Sequence, residues 1–189
     1  MFNDFFNIIF KSIKLDKSLY SDKKNYGEAS IYYSIIIILL TSLISMVPGS
    51  AFLNHMNTII GINDIKGPSI RFILIMSFIV WVIKTAYLYF IGVVIFPSKS
   101  TSCSFRKLLS VVAYANSPFI FYILIFDISL IYFTFIPYIW YCISLIIGIK
   151  IVLKYENYFK SLVITLTPQI LFFIWILSQH TNANTGKLI

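Results

Sequence analysis

The sequence predicts an all-α polytopic membrane protein, a bundle of five transmembrane helices preceded by an N-terminal amphipathic helix. The first observation is composition, since 59% of the 189 residues are hydrophobic and only 12% are charged. An ordinary soluble domain carries about 25% charged residues, so lipid is needed to cover the excess apolar surface. The second observation is a series of five apolar segments near the length of about 20 residues that a membrane-spanning helix needs.

Residues 1–28 are predicted to form a cytoplasmic segment, with an amphipathic helix in residues 1–15 and a polar linker in residues 16–28. The helix either lies in the membrane interface or packs its apolar face on the protein's own spans, and the sequence leaves both open. The side chains that recur at helical spacing on the apolar face are Phe2, Phe5, Phe6, Ile9, Phe10 and Ile13, and those on the polar face are Asp4, Asn7, Lys11 and Lys14.

Residues 29–178 are predicted to form the transmembrane domain, and residues 179–189 a polar tail. Pro48-Gly49-Ser50 is expected to end the first span, because proline followed by glycine interrupts helices. A loop follows in residues 51–68, with room for a short interfacial helix at its start. Asp127 is the only charge between Lys107 and Lys150, an interval that accommodates two spans and a tight turn. The predicted spans are residues 29–47, 72–96, 108–126, 130–149 and 162–177.

The positions of lysine and arginine predict the orientation, because cations in short loops are retained on the cytoplasmic side. With five spans, eleven cations fall on the side of the N-terminal segment and of loops 97–107 and 150–160, and three fall on the other side. The N-terminus is therefore predicted in the cytoplasm and the C-terminus outside. The net charge of +8 then indicates anionic lipid headgroups, and not nucleic acid, as the partner.

Lys84 lies near the centre of the second predicted span, where a lysine costs about 2.5–3.5 kcal/mol. Pro118, Pro137 and Pro168 lie at similar predicted depths, and each proline deprives the carbonyl four residues earlier of its helical donor. We therefore predict a polar cluster at the membrane midplane; the alternative is that these groups only hold helices together. The predicted members are Lys84, Tyr114, Asn116, Ser117, Pro118 and Gln169.

No sequence pattern predicts a catalytic residue, a cofactor or a metal site. The chain has no Gly-x-Ser-x-Gly, no His-Glu-x-x-His and no glycine-rich phosphate loop. Cys103 and Cys142 show neither metal-ligand spacing nor a disulfide framework. Cys103 lies beside a predicted span end, where a thiol can be acylated, although an unmodified thiol is the simpler expectation.

The third predicted span resembles the Yip1 family of membrane proteins, as does the five-span layout with a cytoplasmic N-terminus. In the segment Leu108-Leu109-Ser110-Val111-Val112-Ala113-Tyr114-Ala115-Asn116-Ser117-Pro118, Tyr114, Ala115 and Pro118 match the family's Gly-Tyr-Ala-like step and following proline. Ala113 stands where glycine is usual, and the connector 97–104 has no glycine. The resemblance covers about residues 5–178 at the level of layout.

This resemblance implies a helical bundle without enzymatic activity and, in eukaryotic relatives, a role in vesicle traffic with Rab-type GTPases. The long N-terminal tail of the trafficking members is missing here, so GTPase binding is not carried over. The expected function is therefore a membrane scaffold or adaptor, acting with a membrane-protein partner or a second copy of the chain. The alternative is a small transporter or channel subunit with a polar midplane site around Lys84.

Overall fold

The computed structural model describes residues 2–21, 29–60, 67–97, 101 and 103–184, and within these ranges the protein is all-helical without a strand. Two segments around residue 127 are 3-10 helical, and the end of one long helix is π-helical. The elements in order are α1 (Phe2–Ile13), α2 (Ser18–Ser21), α3 (Ala29–Ile44), α4 (Met46–Ile60), α5 (Ile70–Tyr89) with a π-helical end (Phe90–Ile95), α6 (Phe105–Ala115), two 3-10 segments (Ser117–Leu124 and Ile128–Thr134), α7 (Phe135–Val152) and α8 (Tyr158–Asn184).

Four segments among the described residues are long and apolar enough to cross a membrane, namely Ser30–Ala51, Ile70–Ile95, Phe105–Leu124 and Tyr132–Val152. They coincide with the first four predicted spans, which confirms the membrane class. The fifth predicted span, residues 162–177, falls within α8 and is not among these four segments. Most side chains of its second half lie outside the described residues, so the count of five stays a prediction.

Helix α6 is the centre of the bundle, because α3, α5 and α7 all pack against it. Every side chain from Ser110 to Ala115 is buried, including the ring of Tyr114. Small residues such as Ser110 and Ala113 let neighbouring helices approach closely. The indole of Trp81 on α5 adds a polar anchor by donating to the Leu109 carbonyl over 3.1 Å. The middle of the third span, residues 110–115, is therefore surrounded by protein and not by lipid.

The prediction that Pro48-Gly49-Ser50 interrupts the helix is wrong. Helix α3 ends at Ile44, and after Ser45 a new helix, α4, begins at Met46 and runs through Pro48. Proline is tolerated there because it lies in the first turn, where its missing N–H would have no helical acceptor. The interruption falls instead where hydroxyls bond to the backbone: Ser45 Oγ donates to the Ser42 carbonyl over 2.8 Å. Residues 51–60, the start of the predicted loop where the sequence allowed a short helix, are therefore all helical.

Helices α1 and α2 dock on the bundle. Ile8, Ile9 and Ser12 of α1 are buried, as are Leu19 and Tyr20 of α2. The predicted polar linker 16–28 is therefore partly a helix with a buried face, while its residues 22–28 lie outside the described residues. The sequence left two alternatives for the N-terminal helix. For its buried face, the structure shows packing on the protein's own spans.

A second face of α1 remains uncovered. Phe6 and Phe10 are 54% and 60% exposed, and Lys14, one turn further along, is exposed as well. The buried face is rotated from the apolar face predicted by the sequence, because the bundle covers Ile8 and Ser12 and leaves these phenylalanines uncovered. Whether this exposed face lies in the membrane interface stays a prediction.

The connector after α7 fastens the π-helical end of α5. Two residues after the end of α7, Lys154 has a φ of 55°. The Tyr155 amide donates back to the Lys150 carbonyl over 3.0 Å, which completes a left-handed helix cap. This cap directs the Tyr155 hydroxyl to the carbonyls of Gly92, at 2.7 Å, and Phe96, at 3.2 Å. Burial raises the pKa of Tyr155 to about 12, so the phenol keeps its donor proton at physiological pH.

We expect Gly148→Ala to destabilise the protein. A Cβ atom at this position of α7 would lie 2.7 Å from Val111 Cγ1 and 3.0 Å from Tyr20 Cε1. Overpacking of this kind costs about 1–3 kcal/mol, which thermal unfolding in detergent micelles would detect. Gly49→Ala is the matched control, since a Cβ there meets nothing within 4 Å and the better helix propensity of alanine should raise stability slightly. Equal melting temperatures for the two variants would contradict this packing.

Candidate functional site

Lys84 projects from α5 beside the face that packs on the bundle. Trp81, Thr85 and Leu88, which recur at helical spacing, form that face and are buried. Lys84 is offset from it by one residue and is therefore half-buried. Its ammonium lies 4.5 Å from the centre of the Tyr141 ring on α7, a cation–π contact worth about 0.5–2 kcal/mol depending on desolvation. Lys84 thus points between helices and not into lipid.

A cavity of about 300 Å³, which we call the Lys84 cavity, lies between α3, α5, α6 and α7. Its lining is mixed, with hydroxyls, one amide, one ammonium and several aromatic rings. The residues that line it are Ile38, Thr41, Ser42, Ser45, Ser77, Val80, Trp81, Lys84, Val112, Asn116, Phe119, Tyr122, Tyr138 and Tyr141. A second and larger cavity, about 380 Å³, has an apolar lining that includes Phe121 and Trp140.

Several donors around the Lys84 cavity are already used within their own helices. Thr41 and Ser42 donate to the Ile37 and Ile38 carbonyls over 2.8 and 2.6 Å. The Asn116 amide nitrogen donates to the Val112 carbonyl over 2.7 Å. These bonds fix the three side chains against their own helices. The bond of the Asn116 nitrogen also fixes the orientation of its amide oxygen.

The structure brings two of the six predicted cluster residues to one cavity, Lys84 and Asn116. Tyr114 is buried elsewhere, and its hydroxyl donates to the Ser30 carbonyl over 3.4 Å. The other three, Ser117, Pro118 and Gln169, do not line the Lys84 cavity. Whether the predicted cluster acts as a site stays a prediction.

Two of these remaining residues have unsatisfied polar atoms. Within the described residues, the Ser117 hydroxyl and the Gln169 amide oxygen are buried without a hydrogen-bond partner. Ser117 and Pro118 begin the 3-10 segment that follows α6, and Gln169 lies on α8. The sequence placed these groups at a similar depth to Lys84, but neither lines the Lys84 cavity.

The proline of the third span has the predicted effect on its backbone. The α-helix ends at Ala115, and from Ser117 the chain continues as a 3-10 helix. Because Pro118 has no N–H, it cannot donate to the carbonyl of Tyr114. The Ser12 hydroxyl of α1 donates to that carbonyl over 2.6 Å. A donor to this carbonyl in the third span therefore comes from the N-terminal helix.

Pro137 lies just after the fourth predicted span changes from the 3-10 segment Ile128–Thr134 to α7. Pro137 is the third residue of α7, in the first turn, where proline fits a helix without loss of a hydrogen bond. Pro168, in contrast, does lie inside α8. The neighbouring Thr167 hydroxyl bonds to the Val163 carbonyl over 2.5 Å.

Sequence reasoning missed the residues that join α1 and α2 to the bundle. Ser144 of α7 lies between them, with its hydroxyl 2.6 Å from the Tyr20 hydroxyl and 3.4 Å from that of Ser12. Burial raises the pKa of Tyr20 to about 12, while its bonds to Ser144 and Ser12 act in the opposite direction. The sequence did contain a signal for this junction. It was a serine on an otherwise apolar helix face, at Ser12 and again at Ser144.

The family model of the Yip1 domain matches residues 17–178, which is most of the chain. The chain belongs to the Yip1 domain family. No curated protein and no solved structure matches it, so the assignment comes from the family model. The Yip1 domain match includes α2 to α7 and most of α8, and it contains the whole Lys84 cavity. Helix α1, with Ser12, lies before the matched residues.

We expect Ser12→Ala to destabilise the bundle by about 1–3 kcal/mol, because the substitution removes the hydroxyl that donates to the buried Tyr114 carbonyl. The measurement is thermal unfolding of the purified protein in detergent. Ser50→Ala is the matched control, since its exposed hydroxyl donates only to the Val47 carbonyl of its own helix, over 2.8 Å. The assigned role of Ser12 is refuted if both variants melt together with the wild type.

Proposed function

We propose that this Yip1 domain protein is a non-enzymatic membrane scaffold or adaptor. In this proposal the N-terminus and the loops 97–107 and 150–160 face the cytoplasm, where their cations contact anionic lipid headgroups. The protein acts by holding a membrane-protein partner, or a second copy of the chain, against its helices. Membership of the Yip1 domain family and the four apolar membrane-spanning segments support the proposal. The family assignment gives no support to the alternative of a transporter or channel subunit.

The exposed face of α1 is the observation that carries this proposal. Phe6 and Phe10 lie four residues apart on one side of the helix, and Lys14 follows directly after its last residue. The opposite side is anchored by the Ser12 hydrogen bond and by buried Ile8. A helix held rigidly in this way presents two aromatic rings and a cation, and it loses little conformational entropy on binding. Such a combination suits a headgroup region or a partner helix.

We expect the double variant Phe6→Ser/Phe10→Ser to lose partner binding while keeping the fold. Aromatic anchors in interfaces contribute about 2 kcal/mol each, so retention of a specific partner should fall by about tenfold or more. The measurement is quantitative affinity purification of the intact protein in native membrane discs, with mass spectrometry of co-purifying proteins and of anionic lipids.

Phe126→Ser is the matched control, because Phe126 is 74% exposed but lies in the turn between the two 3-10 segments, far from α1 along the chain. This control should retain the same partners as the wild type. If the α1 variant and the control recover the same proteins and lipids as the wild type, the scaffold role of this face is refuted.

The orientation in this proposal is testable at Cys103, in the loop predicted to be cytoplasmic. Burial raises the pKa of the Cys103 thiol to about 11, although Lys107 acts in the opposite direction. Since the thiolate is the reactive form, labelling should accelerate about tenfold for each pH unit between 8 and 10. In a Cys142→Ala background, a membrane-impermeant maleimide should modify right-side-out vesicles only after permeabilisation.

The control for orientation is Asp127→Cys in a chain without the two native cysteines. Asp127 is exposed in the turn that the proposal places outside. This variant should react in sealed right-side-out vesicles. The reverse pattern, with Cys103 labelled in sealed vesicles and position 127 protected, would overturn the assigned orientation.

A further inference from the structure

We propose that the Lys84 cavity binds an oxyanion, the carboxylate or phosphate group of an anionic amphiphile or of a small solute. This inference goes beyond the scaffold role and does not depend on it, because it uses only residues inside the bundle. Three observations support it: an uncompensated cation, donors that no described residue uses, and a cavity whose size and lining suit an anionic ligand.

The first observation is the charge of Lys84. None of the four membrane-spanning segments contains an aspartate or a glutamate, so no carboxylate within them can pair with this ammonium. The Tyr141 ring, 4.5 Å away, offers only a partial negative charge on its face. An ionisable residue inside a membrane protein normally faces a paired charge or a cavity that carries a substrate or ion. A bound anion supplies the missing charge here.

The second observation is the set of hydrogen-bond donors. Among the described residues, the Lys84 ammonium and the hydroxyls of Ser77 and Tyr141 make no hydrogen bond, and all three residues line the cavity. The ammonium alone has three N–H groups and no acceptor. Thr41 and Ser42, by contrast, spend their protons on backbone carbonyls. A group that accepts several hydrogen bonds at once, as an oxyanion does, matches this surplus of donors.

The third observation is the shape and composition of the cavity. A volume of about 300 Å³ is at the lower end of the range for small-molecule sites. It exceeds what a lone halide ion needs, since one water occupies about 30 Å³ of liquid volume. Part of the wall is apolar, with Ile38, Val80 and Phe119. A charged group beside Lys84 and an alkyl segment along this wall would fill the space.

Trp81 provides a direct reporter because its indole lines the cavity. The test uses the full chain in a neutral maltoside detergent, in a Trp140→Phe/Trp175→Phe background that leaves Trp81 as the only tryptophan. The probe is 11-bromoundecanoate, whose bromine quenches indole fluorescence, and 11-bromoundecanol is the uncharged control. We expect saturable quenching by the carboxylate and only weak, non-saturating quenching by the alcohol.

Lys84→Met should weaken binding of the carboxylate by at least about tenfold, the size of one lost charge-assisted hydrogen bond. The matched control is Lys150→Met, because Lys150 also lies over a tyrosine ring, 3.8 Å from that of Tyr158, but does not line the cavity. This control should bind as the parent does. Should Lys84→Met fail to fold, Ser77→Ala removes one donor only and should still weaken binding by several-fold.

Competition identifies the source of the anion. If sodium phosphate displaces the bromoundecanoate, or itself changes Trp81 fluorescence in a Lys84-dependent way, the cavity takes a small anion from water. If only dodecyl phosphate or another anionic amphiphile displaces it, the ligand comes from the bilayer. The proposal is overturned by equal quenching from acid and alcohol, by a Lys84→Met variant that binds like the parent, or by the absence of saturable binding with every one of these probes.

Discussion

The hydrogen bond from the Ser12 hydroxyl to the Tyr114 carbonyl is the constraint around which the bundle is arranged. Pro118 deprives that carbonyl of its donor at a point where α6 is fully buried and water is excluded. An unsatisfied backbone carbonyl in such a medium costs several kcal/mol. For this carbonyl, the chain supplies a donor from a helix 102 residues away in sequence. The same contact fixes α1 against α6 and brings it to Ser144 of α7.

Side chains repeatedly supply hydrogen bonds where the backbone departs from α-helical geometry. The Tyr155 hydroxyl serves carbonyls of the π-helical end of α5, at Gly92 and Phe96. The Tyr122 hydroxyl bonds to the Thr134 carbonyl over 3.3 Å and thereby joins the two 3-10 segments. Backbone that is not α-helical is tolerated at membrane depth only when protein groups satisfy it in this way. The buried tyrosines therefore permit the irregular helices.

The membrane class, the first four spans and the family follow from the sequence because they depend on local composition and on one motif around Tyr114 and Pro118. The sequence did not predict every effect of proline on the helices correctly. Pro48 was misjudged because its effect depends on where a helix begins, which local hydropathy does not reveal. The lining of the Lys84 cavity could not be predicted either. Which residues face it depends on the rotation of each helix about its axis, set by packing across the whole bundle.

The long separation between Ser12 and its acceptor has a consequence for biosynthesis. At ribosomal rates of about 5–20 residues per second, Tyr114 is made roughly 5–20 s after Ser12, and Ser144 later still. Until then α1 has no site on which to dock, so the face that it later buries stays uncovered beside the translocation machinery. Closure of the bundle by its first helix is thus a late event, and a nascent chain stalled before the third span would still expose Ile8 and Ser12 to chaperones.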